Sequence, residues 1–329
     1  MKKKPLITII TPTFNRAKYL KKLRKSIANQ TFTNFEWIIG DDGSTDNTQE
    51  VIMSNKKNYK NIKITYLKSK YRIGKARMDN IIIKRAKGKY LTTIGSDDYF
   101  SKKSALEDML KLIKSIPKKK EKFYNGVITQ CIDENNISQS FHKNKIPKKN
   151  IVMKYEDSVN YLKGDATILE FTSGYKNKKY LEVDLVITES SMLSKIYKNK
   201  LFIISPIITK IMYRAKDSIS FGKKIQYCRA SAYSFSESYK IDKFKKLSFK
   251  KKILTIFNYW RYCFHGDIKF SKAINLWVVI KKNYYSFIIY PFSFLMAFVD
   301  YYIRKKVEKT HLIFEQNKNK NDIQIYKIN

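Results

Sequence analysis

Along residues 5–132, two hydrophobic rhythms alternate. Compact blocks rich in Ile, Thr, Tyr and Trp occupy 6–11, 35–40, 62–67 and 89–94, and a fifth lies at 127–132. Blocks of that length bounded by turn residues predict buried strands. Between them apolar positions return every three or four residues, as at Leu20, Leu23 and Ile27. That spacing predicts helices over 16–30, 46–54, 73–87 and 101–116. Asp46, with Gln49 three residues on, has the form of a helix start. Strands separated by helices of this length need crossover connections, so the expected class is α/β, a mainly parallel sheet flanked by helices. No repeat of 20 to 50 residues is present. The apolar run after Met-Lys-Lys-Lys is too short for the hydrophobic region of a signal peptide and reads as the first strand.

Composition narrows the partners only in part. At 329 residues, with 43% hydrophobic and 29% charged positions, the chain has the length to bury a sizeable core as one large domain or two. A formal net charge of +39 suggests nucleic acid, an anionic membrane surface or a phosphate-bearing substrate. Only nine of the 67 basic residues are Arg, however. Base and phosphate readout favours the guanidinium fork over the point charge of Lys. An AT-rich genome would also raise Lys, Asn and Ile together, so charge alone selects no partner. Cys131, Cys228 and Cys263 are widely spaced and form no metal pattern, which argues against disulfides and zinc and fits a reducing cytosol.

Three polar clusters end predicted strands: Thr11–Asn15, Asp41-Asp42 and Asp97-Asp98. Open α/β sheets bind ligands outside the carboxyl ends of their strands, so the three should gather along one edge. Each alone is also a good turn or helix start. Together they point to a binding edge. Carboxylates hold a hard divalent cation that bridges to a diphosphate, and they accept hydrogen bonds from ribose or a base N–H. A nucleotide-diphosphate ligand fits that chemistry. The dinucleotide fingerprint and the P-loop are both missing.

The stretch ITIITPTFNRAKYLKKLRKSIANQTFTNFEWIIGDDGSTDNTQEVI, at 7–52, closely resembles the opening of family 2 glycosyltransferases, inverting enzymes with a GT-A fold. GKARMDN (74–80) and AKGKYLTTIGSDDYF (86–100) resemble the stretches that lead into the family's metal motif. The resemblance is strong over about 5–100 and thinner to about 220. It implies that Pro12 and Thr13 line a uracil pocket, with Asn15 in the same donor-binding loop. It further implies that Asp41 or Asp42 bonds the base or ribose and that Asn80 lies near the nucleotide. Asp97 would contact ribose or metal, and Asp98 would be the Mn²⁺ or Mg²⁺ ligand. Two positions depart from the family pattern: Gly95 stands where many relatives have the first Asp of Asp-x-Asp-Asp, and Ile82 replaces a small residue.

An inverting transfer also needs a base that takes the acceptor hydroxyl's proton. Residues 164–220 resemble the second half of bacterial polysaccharide glycosyltransferases, with Gly164-Asp165, Thr188-Glu189 and the strand region 207–220 in the family's order. Glu189 is the expected base; its structural alternative is a helix-start carboxylate, and Asp184 and Asp165 are the other candidates. His142, His265 and His311 are assigned no role.

From about 240 onward, Lys-rich segments alternate with aromatic-apolar ones, and 283–299 is an uncharged run of 17 residues interrupted by Pro291. Aromatic density beside Lys suits a membrane interface. Trp277, Tyr284, Tyr285 and Phe292 would then sit at the acyl boundary. A spanning helix and a buried helix are the alternatives. Residues 317–329 read as a polar, mobile end, and a chain ending near Phe235 is expected to leave the membrane fraction yet retain donor binding.

The resulting expectation is a GT-A domain over 1–235, with a nucleotide-binding half at 1–100 and an acceptor half at 101–235. A helical, membrane-associating region would occupy 236–329. The enzyme would move a sugar from a nucleotide-diphosphate sugar, a UDP-sugar, to a glycan or lipid-linked acceptor in cell-surface polysaccharide biosynthesis. It would lie peripherally on the inner face of the cell membrane and bind no nucleic acid. One rival is a basic nucleic-acid-binding α/β protein, which needs charge on one face with exposed stacking aromatics. Another is a catalytically inactive relative serving as an assembly module, against which the intact Asp98 argues.

Overall fold

The computed structural model describes residues 4–54, 62–158, 161–162, 164–186, 190–213, 226–238, 244–245, 247–320 and 322–328. Four strands, β1 (Ile7–Thr13), β2 (Phe35–Asp41), β3 (Lys63–Ser69) and β4 (Tyr90–Thr93), form a parallel array in the order β3-β2-β1-β4. Helices α1 (Ala17–Ala28), α2 (Thr48–Met53) and α3 (Lys75–Ile83) connect them. β1 and β2 are covered on both faces, which is why they read as continuous apolar runs. Leu20, Leu23 and Ile27 of α1 are buried, as their spacing predicts.

Beyond β4 the sheet becomes mixed. The short β5 (Tyr99–Phe100) leads into α4 (Ala105–Lys114), followed by β6 (Tyr124–Asp133) and β7 (Ile151–Lys154). The chain continues through α5 (Tyr155–Ser158), β8 (Thr167–Phe171), α6 (Ser190–Ile196) and β9 (Leu201–Met212). β8 runs antiparallel to both β4 and β6, while β9 runs parallel to β6 and antiparallel to β5 and β7. A strand of two residues carries too few positions for a hydrophobic period, so this half was less legible than the first.

After α7 (Cys228–Ser238), the chain forms α8 (Phe249–His265), α9 (Phe270–Leu276), α10 (Val278–Lys282) and α11 (Tyr285–Phe298), which a π-helical turn extends to Ile303. Pro291 lies inside α11 without ending it. These helices bury a core of their own around Tyr259, Trp260 and Trp277. Trp277 is therefore packed against Phe244 and Tyr259 rather than exposed, contrary to the expectation for an interfacial anchor.

The expectation of a mobile C-terminus does not hold over Ile323–Ile328. These residues form β10, antiparallel on the outer edge of β3, with Ile328 buried and Tyr326 stacked on Tyr66. The preceding α12 (Thr310–Asn317) also folds back onto the parallel half: Asn317 Nδ2 donates to the Arg72 carbonyl, and Arg77 donates to the Lys318 carbonyl. A chain ending near Phe235 would lack β10 and α12, and with them these contacts to β3, Arg72 and Arg77.

Candidate active site

β1 and β2 end side by side, with Thr13 opposite Asp41, and Asp42 N–H donates to the Thr13 carbonyl at 2.9 Å. Asp41 and Asp42 bond to different segments, which resolves their apparent conflict. Asp41 accepts from Ser44 N–H at 2.8 Å and from the Tyr66 hydroxyl. Asp42 Oδ1 accepts from the N–H groups of Ile73 (2.7 Å) and Gly74 (2.8 Å). Two glycines permit these turns. Gly43 has φ +80° and Gly74 has φ +93°, and a Cβ on Gly43 would lie 2.7 Å from the Tyr71 backbone. Burial raises the pKa of Asp41 against its hydrogen bonds. Burial pushes Asp42 up to about 7, with the Gly74 and Ile73 bonds and Arg72 pulling the other way and Asp41 adding to the rise.

The loop after β1 is tied to the same turn. Asn15, at φ +52°, accepts from Thr45 N–H at 2.8 Å through Oδ1 and donates its own N–H to Ser44 Oγ at 2.9 Å. Its side-chain oxygen thus belongs to the scaffold. Pro12 lies beside Gly40, and the Thr13 hydroxyl is buried with no partner among the described residues. An unpartnered buried hydroxyl costs about 1–3 kcal/mol, which a bound ligand would relieve. The Arg72 guanidinium lies 4.2 Å from the centre of the Phe14 ring. Asn80 is turned elsewhere: its amide bonds Tyr180 N and O at 2.7 and 3.0 Å, and Glu182 at 2.8 Å. It holds segment 180–182 against α3.

Asp97 and Asp98 follow β4 on the same edge. Their Oδ1 and Oδ2 atoms converge on Gly95, 3.1 and 3.0 Å from where its Cβ would stand. Burial first, then the Asp98 charge, raises the pKa of Asp97. Among the described residues no group of three His, Cys, Asp or Glu could hold a metal ion. The pair does fit a cation of the kind held by one or two carboxylates and completed by substrate phosphates and water. Asp98 Oδ2 accepts from Lys210 Nζ at 3.0 Å, and both side chains are buried. Burial is the largest single influence and works to lower the Lys210 pKa, but the charge and hydrogen bond of Asp98 together with Cys131 and Asp165 outweigh it and raise the pKa, so the ammonium is retained.

A profile of Glycosyl transferase family 2 matches residues 8–178, more than half of the chain. The chain is a family 2 glycosyltransferase. This glycosyltransferase is 27% identical over 220 residues to the GalNAc(5)-diNAcBac-PP-undecaprenol beta-1,3-glucosyltransferase of Campylobacter jejuni, over 66% of this chain and 68% of that protein. It is 34% identical over 99 residues to the poly(ribitol-phosphate) beta-N-acetylglucosaminyltransferase TarS of Staphylococcus aureus, covering 30% of this chain and only 17% of TarS. Among solved structures, TarS 1–349 in complex with UDP-GlcNAc superposes with a TM-score of 0.54 at 16% identity, over 95% of this chain and 90% of that one. The Pyrobaculum calidifontis mannosyltransferase PcManGT, in complex with GDP-Man and Mn²⁺, gives 0.50 at 12%, over 96% and 88%. At those identities the likeness is one of fold, and the fold is GT-A.

Thr188 and Glu189 of the glycosyltransferase, and positions 214–220 of the strand region, lie outside the described residues. Of the alternatives to Glu189, Asp184 is completely buried and accepts from Thr310 Oγ1 (2.7 Å) and Leu185 N (2.8 Å). It staples α12 to the domain. Asp165 is exposed and close enough to Lys210 to act on it electrostatically. The sequence reading missed Tyr66, Arg72 and Lys210. Only Lys210 left a signal: it is the single charged residue of a twelve-residue apolar and hydroxyl strand, LFIISPIITKIM. A cavity of about 410 Å³ that includes Lys122, Lys176, Lys178 and Lys200 opens at the amino end of the sheet, away from the carboxylate edge.

Proposed function

We propose that this glycosyltransferase uses a UDP-sugar and passes its sugar, with inversion, to a lipid-linked or glycan acceptor at the inner face of the membrane. The observation that carries the donor reading is the grouping, at one sheet edge, of the orphaned Thr13 hydroxyl, the buried Asp42 and the Asp97–Asp98 pair. Thr13 and Asp42 offer a hydrogen-bond partner and an acceptor to a base or ribose. Asp97 and Asp98 would hold Mn²⁺ or Mg²⁺, whose chemistry there is to neutralise a diphosphate leaving group. Glu189 would take the proton of the acceptor hydroxyl as it attacks from the opposite side.

The lipid-linked acceptor and the membrane rest on α11 as well as on the name of the Campylobacter relative. Residues Tyr285–Ile303 are apolar and long enough to cross a bilayer. Their polarity is inverted for a helix on a water-facing surface. Ser286, Ser293, Ala297 and Asp300 face the protein, while Ile288, Phe292, Leu295 and Tyr302 face outward. Such a helix suits an apolar medium on its outer side. The test of the donor reading is a panel of UDP- and GDP-sugars scored for thermal stabilisation and for Mn²⁺-stimulated hydrolysis. Stabilisation by a UDP-sugar is expected, because a ligand that binds only the folded form raises apparent stability. No shift with any nucleotide sugar would sink the reading.

A further inference from the structure

The candidate donor site contains a cation of its own. Lys210 lies on β9 opposite Phe100 of β5, 6% exposed, with its ammonium on Asp98 Oδ2 at 3.0 Å. Cys131, Asp165 and Asp97 are also close enough to act on it electrostatically. A fully buried lysine is rare unless paired, and a buried ion pair adds little net stability because desolvation offsets the attraction. Packing alone therefore gives no reason for a charge in this strand. Its position does, because the ammonium occupies Asp98 Oδ2, the oxygen that converges with Asp97 Oδ1 beside Gly95, where a cation shared by the two carboxylates would sit.

We propose that Lys210 is an exchangeable counter-ion of Asp98, which keeps divalent cations off the empty enzyme and turns to the donor's diphosphate when nucleotide and metal bind. The inference rests on the donor-site reading above. Charge balance supports the exchange. A divalent ion on Asp97 and Asp98 without nucleotide would set its two positive charges and the Lys210 ammonium against only two carboxylates, a net positive site. A diphosphate supplies negative charge for both. The four-carbon stem of Lys gives its ammonium the freedom to make that move.

The test uses the full chain. Free Mn²⁺ is followed by electron paramagnetic resonance, and nucleotide binding in EDTA by calorimetry, for UDP, GDP, uridine and guanosine. Wild type should bind Mn²⁺ at least about tenfold more tightly with the nucleoside diphosphate than without it, the scale of a close charge pair. Lys210→Met should bind Mn²⁺ without nucleotide at least about tenfold more tightly than wild type. Because that variant leaves Asp98 buried and unpaired, a second comparison removes both charges. In EDTA, Asp98→Asn/Lys210→Met should bind the diphosphate at least about tenfold more weakly than Asp98→Asn, with nucleoside affinity unchanged. Unchanged Mn²⁺ affinity in a folded Lys210→Met, or equal diphosphate affinity in the second pair, overturns the inference while leaving the donor site standing. If wild type binds none of the four compounds, the donor-site reading itself fails and takes this inference with it.

Discussion

Tyr66→Phe removes one hydroxyl from beneath the carboxylate edge and leaves the rest of the side chain in place. In the native protein that hydroxyl donates to Asp41, a completely buried carboxylate whose other partner is Ser44. The ring keeps its stack on Tyr326, with centroids 5.7 Å apart. Hydrogen bonds to charged groups contribute about 1.5–3 kcal/mol, so the variant should lose about 2 kcal/mol where Asp41 is ionised. For a chain of this size that corresponds to a melting temperature lower by roughly 3 °C. The loss should depend on pH. Burial already holds the Asp41 pKa above its ordinary value, and the hydroxyl is one of the groups pulling it down. Its removal raises the folded pKa further. As pH falls through that raised value the carboxyl takes up a proton, and the neutral acid suffers less from the missing donor. Urea unfolding of both proteins at pH 8 and pH 5 should show the wider gap at pH 8. Superimposable curves at pH 8, or a larger gap at pH 5, would refute the reasoning.

Asp42→Asn should become more stable relative to wild type as pH rises. The folded pKa of Asp42 is about 7 against an ordinary 3.8, so the native state holds its proton longer than the unfolded state, and ionisation between those values removes stability. At about 1.4 kcal/mol per unit, the relative gain between pH 5 and 8 is about 3 kcal/mol; a pH-independent difference would show that Asp42 titrates normally. Glu189→Gln should slow transfer about 10²-fold or more with donor affinity unchanged, whereas a parallel loss of donor affinity would move Glu189 out of the base role. Full-length protein should float with anionic vesicles, less with neutral ones, and be weakened but not released by salt. The reason is that basic residues contribute about 1 kcal/mol each near such a surface and are screened, while apolar contact is not. Phe292→Glu with Leu295→Glu should abolish the salt-resistant part of flotation without lowering the melting temperature, since the native side chains are 62% and 60% exposed; flotation at high salt that survives the double change would remove α11 from the interface.

Local pattern was sufficient for the parallel half of the fold and for its polar edge. Each of β1 to β4 carries its own apolar block, and parallel strands all leave by the same end. Residues such as Thr13, Asp42 and Asp98 were therefore placed on one side before any register was known. The same logic fails where a contact depends on which strands become neighbours. Lys210 meets Asp98 across 112 residues and Thr310 meets Asp184 across 126. Lys210 reaches Asp98 because β9 pairs with β5 in one register, and a shift of one residue would turn it to the other face. Nothing within 201–212 or 97–100 encodes that pairing. In the tail, aromatic density was visible, but not its orientation: Trp277 went into the core and Phe292 outward. β10 is the clearest instance, since a short run near a polar stretch becomes a strand only when β3 presents an unpaired edge to receive it. Local periodicity records which face of an element is apolar. Which partner covers that face is set by closing the whole sheet and helical layer at once, where long-range pairing energy outweighs the preference of any single segment.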